Sequence, residues 1–179
     1  MKPSQIIPLF DQYLLAHRKK FEAIVIGAGA LSLLGVISRE TKDVDVIDPE
    51  IPKDIKSLSQ EFAKQTSQNL IQNWINNGPA SMRDKLPIGW QKRLQKIYSG
   101  KALTLFTLSR VDLLATKLQG LGDRGERGPD WNDIKAMKPT LEEMDKALRW
   151  AEQQDANPSW PEHVRRLVDT LMKEMVNGI

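Results

Sequence analysis

Residues Phe21–Asp48 read FEAIVIGAGALSLLGVISRETKDVDVID, and this stretch decides the fold. It opens with a short apolar run rich in β-branched residues, Phe21–Ile26, which glycine ends after six residues; that reads as a buried strand. Leu31–Ser38 is apolar at nearly every position and reads as a buried helix. Lys42–Asp48 then alternates until Pro49 stops it, the clearest strand signal in the chain. Alternation puts Asp43, Asp45 and Ile47 on one face and Val44, Val46 and Asp48 on the other. Two carboxylates two residues apart on one strand face lie about 7 Å from each other. They repel unless a cation offsets them.

Outward from this stretch, Ile7, Phe10 and Leu14 fall at helical spacing, so residues 4–18 are predicted to form an opening helix. After Pro52 the pattern is helical through Asn76, anchored by Ile55, Leu58, Phe62, Leu70, Ile71 and Trp74. A short helix is expected near Trp90–Tyr98. Lys101–Leu108 alternates again as a third strand, with Leu103, Leu105 and Thr107 on one side and Thr104 and Phe106 on the other. Ser109 reads as a helix N-cap with Asp112 three residues on. The remainder is helical, with breaks at Gly122–Pro129, Pro139 and Asn157–Pro161. The class is therefore α+β: a small sheet flanked by helices within residues 1–108, then a helical C-terminal part, 109–179, packed on the same core.

Composition narrows the chemistry. The 179 residues contain no cysteine and only two histidines, His17 and His163, which excludes a disulfide scaffold, a thiolate zinc site and a histidine-rich metal cage. Reactive groups must be carboxylates, hydroxyls, lysines or arginines. The longest uncharged apolar stretch, Ala23–Ile37, spans 15 residues and carries three glycines; a membrane helix needs about 20. No signal-peptide pattern precedes it, so a soluble, cytoplasmic protein without a membrane partner is expected. The net charge is only +3, but Ser81–Lys101 sets six bases against Asp84 and carries +5. That segment reads as a solvated face or as a surface for a polyanion such as RNA.

The glycine turn has two readings. Strand, Gly27-x-Gly29, helix, strand and Asp48 resemble the opening of a dinucleotide-binding unit, but Ser32 stands where the third glycine belongs, and no alternating βα units follow. The second strand also carries acids, whereas strands of a doubly covered parallel sheet are apolar on both faces. Paired aspartates after a glycine turn suit instead a Mg²⁺ or Mn²⁺ site for nucleotidyl transfer, in which the metal takes one or two carboxylates and shares substrate phosphates. In the helix from Ser109, Lys117 falls on the apolar arc between Leu113 and Leu121, so it either snorkels to the edge or meets an anion. Asp130 and Asp133 flank Trp131 after Pro129, as helix-start acids or as site residues. Arg39 and Thr41, just before the acidic strand, are candidates for phosphate contact.

Together, VIGAGALSLLG (Val25–Gly35) and SRETKDVDVID (Ser38–Asp48) resemble the opening of the DNA polymerase β-like nucleotidyltransferases, in the branch of AbiEii-like abortive-infection proteins and their stand-alone bacterial relatives. LSRVDLLATKLQGLGDRG resembles that family's lysine-bearing helix and DWNDI its later Asp-x-x-Asp helix, and the tail NPSWPEHVRRLVDTL is also similar. The resemblance implies a small mixed sheet of the polymerase β palm type, a nucleoside triphosphate substrate, and Mg²⁺ or Mn²⁺ on Asp43 and Asp45. It further implies that Gly27, Ala28 and Gly29 cradle phosphates and that Lys117, with Asp130 or Asp133, completes the site. The acceptor would be an RNA end, a protein or a small molecule, and an antitoxin-like protein a partner in a toxin–antitoxin or phage-defence setting. Two departures stand out: Ala28 occupies a family glycine or serine position, and Lys101–Leu108 lacks the third carboxylate of many relatives. They leave open a non-catalytic nucleotide- or RNA-binding module.

Overall fold

A computed structural model describes residues 1–126 and 128–177. Two compact units emerge, one of Met1–Asp84 with Gln91–Leu108, the other of Lys85–Trp90 with Ser109–Ile179.

The first unit is built on a five-stranded mixed sheet of order β3-β2-β1-β5-β4. Its strands are β1 (Phe21–Ile26), β2 (Val44–Asp48), β3 (Ile75–Asn76), β4 (Gln95–Ser99) and β5 (Leu103–Thr107). β1 runs antiparallel to β2 and parallel to β5, β2 is parallel to β3, and β4 is antiparallel to β5. Helices α1 (Pro3–Ala16), α2 (Gly27–Leu33) and α3 (Lys53–Gln65) accompany it. One sheet face is apolar and covered: Phe21, Ala23, Val25, Val44, Val46, Leu103 and Leu105 are buried together with Phe10 and Leu14 of α1. Phe10, Phe62 and Trp74 form an aromatic cluster with ring centroids 5.0–5.9 Å apart, and the Trp74 indole donates to the Ser59 carbonyl at 3.0 Å.

Asp11 of α1 fastens the β4–β5 hairpin. Its Oδ1 accepts the backbone N–H groups of Ala102 at 2.8 Å and Leu103 at 2.7 Å, and its Oδ2 that of Lys101 at 3.2 Å. Burial pushes this carboxyl up, but those three bonds and the Tyr98 hydroxyl outweigh it and hold Asp11 below the ordinary carboxylate value.

The second unit is helical: α4 (Arg110–Arg124), α5 (Pro129–Met137), α6 (Leu141–Ala151) and α7 (Trp160–Asn177). α4 packs on the other three. Ser109 caps α4 by accepting from the Asp112 N–H at 3.2 Å. Thr140 and Glu143 close a reciprocal capping box on α6. The Trp160 indole donates to the Ala151 carbonyl at 2.8 Å, fixing α7 to the end of α6.

Three elements differ from their sequence readings. The helix after Pro52 ends at Gln65, where Thr66 turns extended, and Ile75–Asn76 is a strand edge instead of a helix end. Its apolar residues split accordingly, because Trp74 and Ile75 are buried while Ile71 is exposed. Trp90–Arg93 is a single 3₁₀ turn, and the residues after it form β4, held by β5. α2 begins at Gly27 itself and stops at Leu33, followed by Gly35 with φ +71°.

Candidate active site

The acidic strand differs from simple alternation in a consequential way. β2 pairs Ile26 with Asp45 and Val25 with Val46, but Ile24 with Asp48. Ile47 is thus an extra residue in a β-bulge, and Val46 and Ile47 are both buried. Residues opposite each other across a ladder share a face, so Asp48 joins Asp45 on the outer face beside Ile24 and Ile26. The sequence reading, which set Asp48 with Val44 and Val46, is corrected: period two fails once a strand carries an inserted residue. Arg83 donates to Asp48 Oδ1 at 2.9 Å. Beside Asp48 a cavity of about 180 Å³ is lined by Glu22, Ile24, Pro49, Leu94 and Phe106.

Asp43 and Asp45 are both half-buried and alternate with the fully buried Val44 and Val46. The glycine turn lies directly against them. Gly27 has φ +72°, and a Cβ placed on it would stand 2.9 Å from Asp45 Oδ2. A Cβ on Gly29 would stand 3.3 Å from the Asp43 carbonyl oxygen and from Val44 Cα. Glycine at 27 therefore meets two demands at once, a left-handed backbone and a missing side chain where the carboxylate sits. On the other side of the strand, Asn76 of β3 donates from Nδ2 to Asp45 Oδ1 at 3.3 Å.

The segment leading into β2 is pinned from below. Thr41 is buried, and its hydroxyl donates to the Asp43 carbonyl at 3.1 Å while its backbone N–H donates to the Met1 carbonyl at 2.9 Å. Thr41 thus holds the Asp43 backbone. Arg39 is exposed and donates to the neighbouring Glu40 carbonyl at 3.4 Å. Ala28 is half-buried within the turn.

The second unit carries its own charge cluster. Lys117 is 6% exposed, Asp130 and Asp133 1% each. The ammonium donates to Asp130 Oδ1 at 2.9 Å and to Asp133 Oδ2 at 2.7 Å, and Arg124 donates to Asp130 Oδ2 through both Nε, at 2.8 Å, and Nη2. The buried Lys117 ammonium and the exposed Arg124 guanidinium together match the charge of the two buried carboxylates. Of the two sequence readings for Lys117, burial against anions is the one realised. Asp130 and Asp133 are buried ion-pair partners, more than helix-start acids.

A mixed sheet with a glycine turn set against an Asp-x-Asp strand, followed by a helical bundle with a buried lysine, has the make-up of an α+β nucleotidyltransferase. The sequence model of the family described as "Nucleotidyltransferase of unknown function (DUF6036)" matches residues 5–145, and the chain belongs to that family. The matched span takes in Gly27, Asp43, Asp45, Lys117, Asp130 and Asp133. No curated protein and no solved structure matches the chain.

Asn76 and Arg124 are not among the candidate site residues that the sequence suggests, and Arg83 enters there only as one of the six bases of Ser81–Lys101. Asn76 had a signal, the Asn76-Asn77-Gly78-Pro79 turn, which the helical reading of the preceding residues masked. Asp48 required the bulge, which leaves no mark in the alternation pattern. Among the described residues no helix is long and apolar enough to cross a membrane.

Proposed function

We propose that this protein transfers a nucleoside monophosphate from a nucleoside triphosphate to an acceptor hydroxyl, with Asp43 and Asp45 as the metal-binding carboxylates. The observation that carries this reading is the Gly27 turn seated on the Asp45 carboxylate, where a Cβ would fall 2.9 Å from Oδ2, in a chain of a nucleotidyltransferase family. The close approach would let backbone N–H groups of the turn face a phosphate while the Asp45 carboxylate faces the cation bound to it, and the absence of a side chain at Gly27 permits it.

The donor set fits Mg²⁺ or Mn²⁺. Both are hard cations, satisfied by one or two carboxylates with water and substrate phosphates filling the remaining positions. When bound, the cation would offset the charge of the phosphates. The chain's own residues hold the reactants. The Gly27–Ala30 turn offers backbone N–H groups to the phosphates, Thr41 fixes the Asp43 backbone, and Asn76 holds Asp45. The acceptor oxygen bonds to the α-phosphorus, the bond from that phosphorus to the α–β bridging oxygen breaks, pyrophosphate leaves with the electron pair, and the hydroxyl proton passes to water.

The acceptor is an RNA end, a protein or a small molecule, and the cavity beside Asp48 is small enough to receive only part of it, since pockets enclosing a whole ligand are about 300–1,000 Å³. Exposed Lys92 and Lys96 favour an RNA end. Any part that Lys117, Asp130 and Asp133 take in the reaction rests on the sequence resemblance; in the helical unit they form a buried ion-pair cluster. The AbiEii-like branch, a cytoplasmic toxin–antitoxin or phage-defence setting and an antitoxin-like partner rest on the sequence resemblance alone. A second reading, a non-catalytic nucleotide- or RNA-binding module, is favoured by Ala28 and by β5, which carries no carboxylate.

The test is incubation with each labelled nucleoside triphosphate, Mg²⁺ or Mn²⁺, and total RNA or protein extract, beside an Asp43→Ala/Asp45→Ala variant. Label transfer that the variant loses supports the enzyme. Nucleotide or RNA binding without transfer for any nucleotide decides for the binding module.

A further inference from the structure

We infer that Asn76 is a positioning residue that sets how Asp45 presents its carboxylate to a divalent cation; this rests on the metal-binding role proposed for Asp45. Three independent contacts define the arrangement. The parallel register of β2 and β3 places Asn76 opposite Asp45. The Asn76 Oδ1 accepts the Gly78 backbone N–H at 2.6 Å. A backbone N–H only donates, so the amide oxygen must lie there and the Nδ2 group must face Asp45, where it donates to Oδ1 at 3.3 Å. Across the carboxylate, Oδ2 lies against Gly27. One oxygen thus accepts from an amide, and the other occupies the space that a side chain at Gly27 would fill.

The support is itself braced. Asn77 donates to the Val46 carbonyl at 3.1 Å and the Pro49 carbonyl at 3.0 Å and accepts from the Ile51 N–H at 2.8 Å. A strand of two residues would otherwise be too short to hold a side chain still; these bonds tie it to both ends of the β2 exit. Gly78 has a matching constraint, since a Cβ there would stand 2.8 Å from Asn76 Oδ1. The chain therefore spends two consecutive asparagines and a glycine on keeping one neutral donor beside Asp45. A neutral donor orients the carboxylate without removing its charge, whereas a lysine would compete with the cation and an aspartate would repel the carboxylate. Partners that hold a metal-binding side chain typically contribute about 10–100-fold to metal affinity or activity.

The experiment titrates Mn²⁺ alone into the full-length protein, reading free Mn²⁺ by electron paramagnetic resonance, for wild type, Asn76→Ala, Gly78→Ala and Asp45→Asn, with thermal melting of each. The expected result is Mn²⁺ binding weakened about 10–100-fold in Asn76→Ala, and weakened in the same direction in Gly78→Ala, whose new Cβ displaces the amide while leaving it present. Under label-transfer conditions the same variants should lower kcat at limiting Mn²⁺ and recover toward wild type as Mn²⁺ is raised, a response that a merely structural role does not give. Mn²⁺ affinity unchanged in both Asn76→Ala and Gly78→Ala, with Asp45→Asn having lost it, overturns the role of Asn76 while leaving that of Asp45 intact. Should Asp45→Asn bind Mn²⁺ like wild type, the proposed metal role of Asp45 falls and the inference with it. If Asn76→Ala does not fold, Gly78→Ala decides by the same two readings.

Discussion

Replacing Gly27 with alanine separates two consequences of one methyl group. The first is backbone strain: φ at Gly27 is +72°, and an L-residue held in the left-handed region costs about 1–2 kcal/mol. For a chain of this size that lowers the melting temperature by about 2–8 °C. The second is contact: the new Cβ falls 2.9 Å from Asp45 Oδ2, too close to coexist, and the carboxylate turns aside because it ends a flexible side chain. That swing costs little stability but displaces the proposed metal-binding oxygen and strains the 3.3 Å bond from Asn76. Gly35 supplies the matched control. Its φ is +71°, and nothing lies within 4 Å of the Cβ it would gain. Both variants should therefore melt lower by similar amounts in a calorimetric scan, while Gly27→Ala alone loses label transfer, on the order of 10²-fold or more. Full transfer in Gly27→Ala, or equal losses in the two variants, would refute the argument that the turn exists to serve Asp45.

Further expectations follow from the other charged groups. Asp43→Asn and Asp45→Asn should each reduce transfer on the order of 10²–10³-fold while leaving the melting temperature near wild type, because both are half-buried; collapse of the fold instead would make them structural acids. Lys117→Met should destabilise by about 3–5 kcal/mol, since it strips the shared cation from Asp130 and Asp133, and a melting temperature within 2 °C of wild type, a span worth about 1 kcal/mol or less, would show that the cluster does not bear on stability. The depressed Asp11 carboxyl contributes stability that is complete above its unfolded value of about 3.9 and is lost as pH falls through the lower folded value. Asp11→Asn should therefore flatten the acid limb of the denaturation curve below about pH 4, and an unchanged limb would assign that loss to other groups.

Much of the site was written in local pattern. Glycine at 27 and 29 and acids at 43 and 45 are visible as residue types at fixed spacing, and the burial of Leu103, Leu105 and Thr107 against half-exposed Thr104 and Phe106 follows the predicted alternation of β5. Ser109 acts as the N-cap its neighbours suggested, because capping is a three-residue interaction. The errors have equally definite causes. β4 read as helix because its burial is weak on both sides, which is what an edge strand with few packed residues looks like. β3 vanished into the tail of a helical pattern because two residues cannot establish a period.

By itself, then, the sequence determined the class of fold, the carboxylate pair, the glycine turn and the helix that carries Lys117, all of which depend on periodicity or on neighbours within a few positions. Tertiary structure alone decided that Gly27 touches Asp45, that Asn76 grips the same carboxylate across 31 positions, that the Ile47 bulge turns Asp48 to the outer face, and that Lys117 is shared by Asp130 and Asp133. The physical reason is common to all four. Each is set by strand register or helix packing between residues distant in sequence, and register is fixed by the burial of the whole sheet face, which no short window of sequence contains.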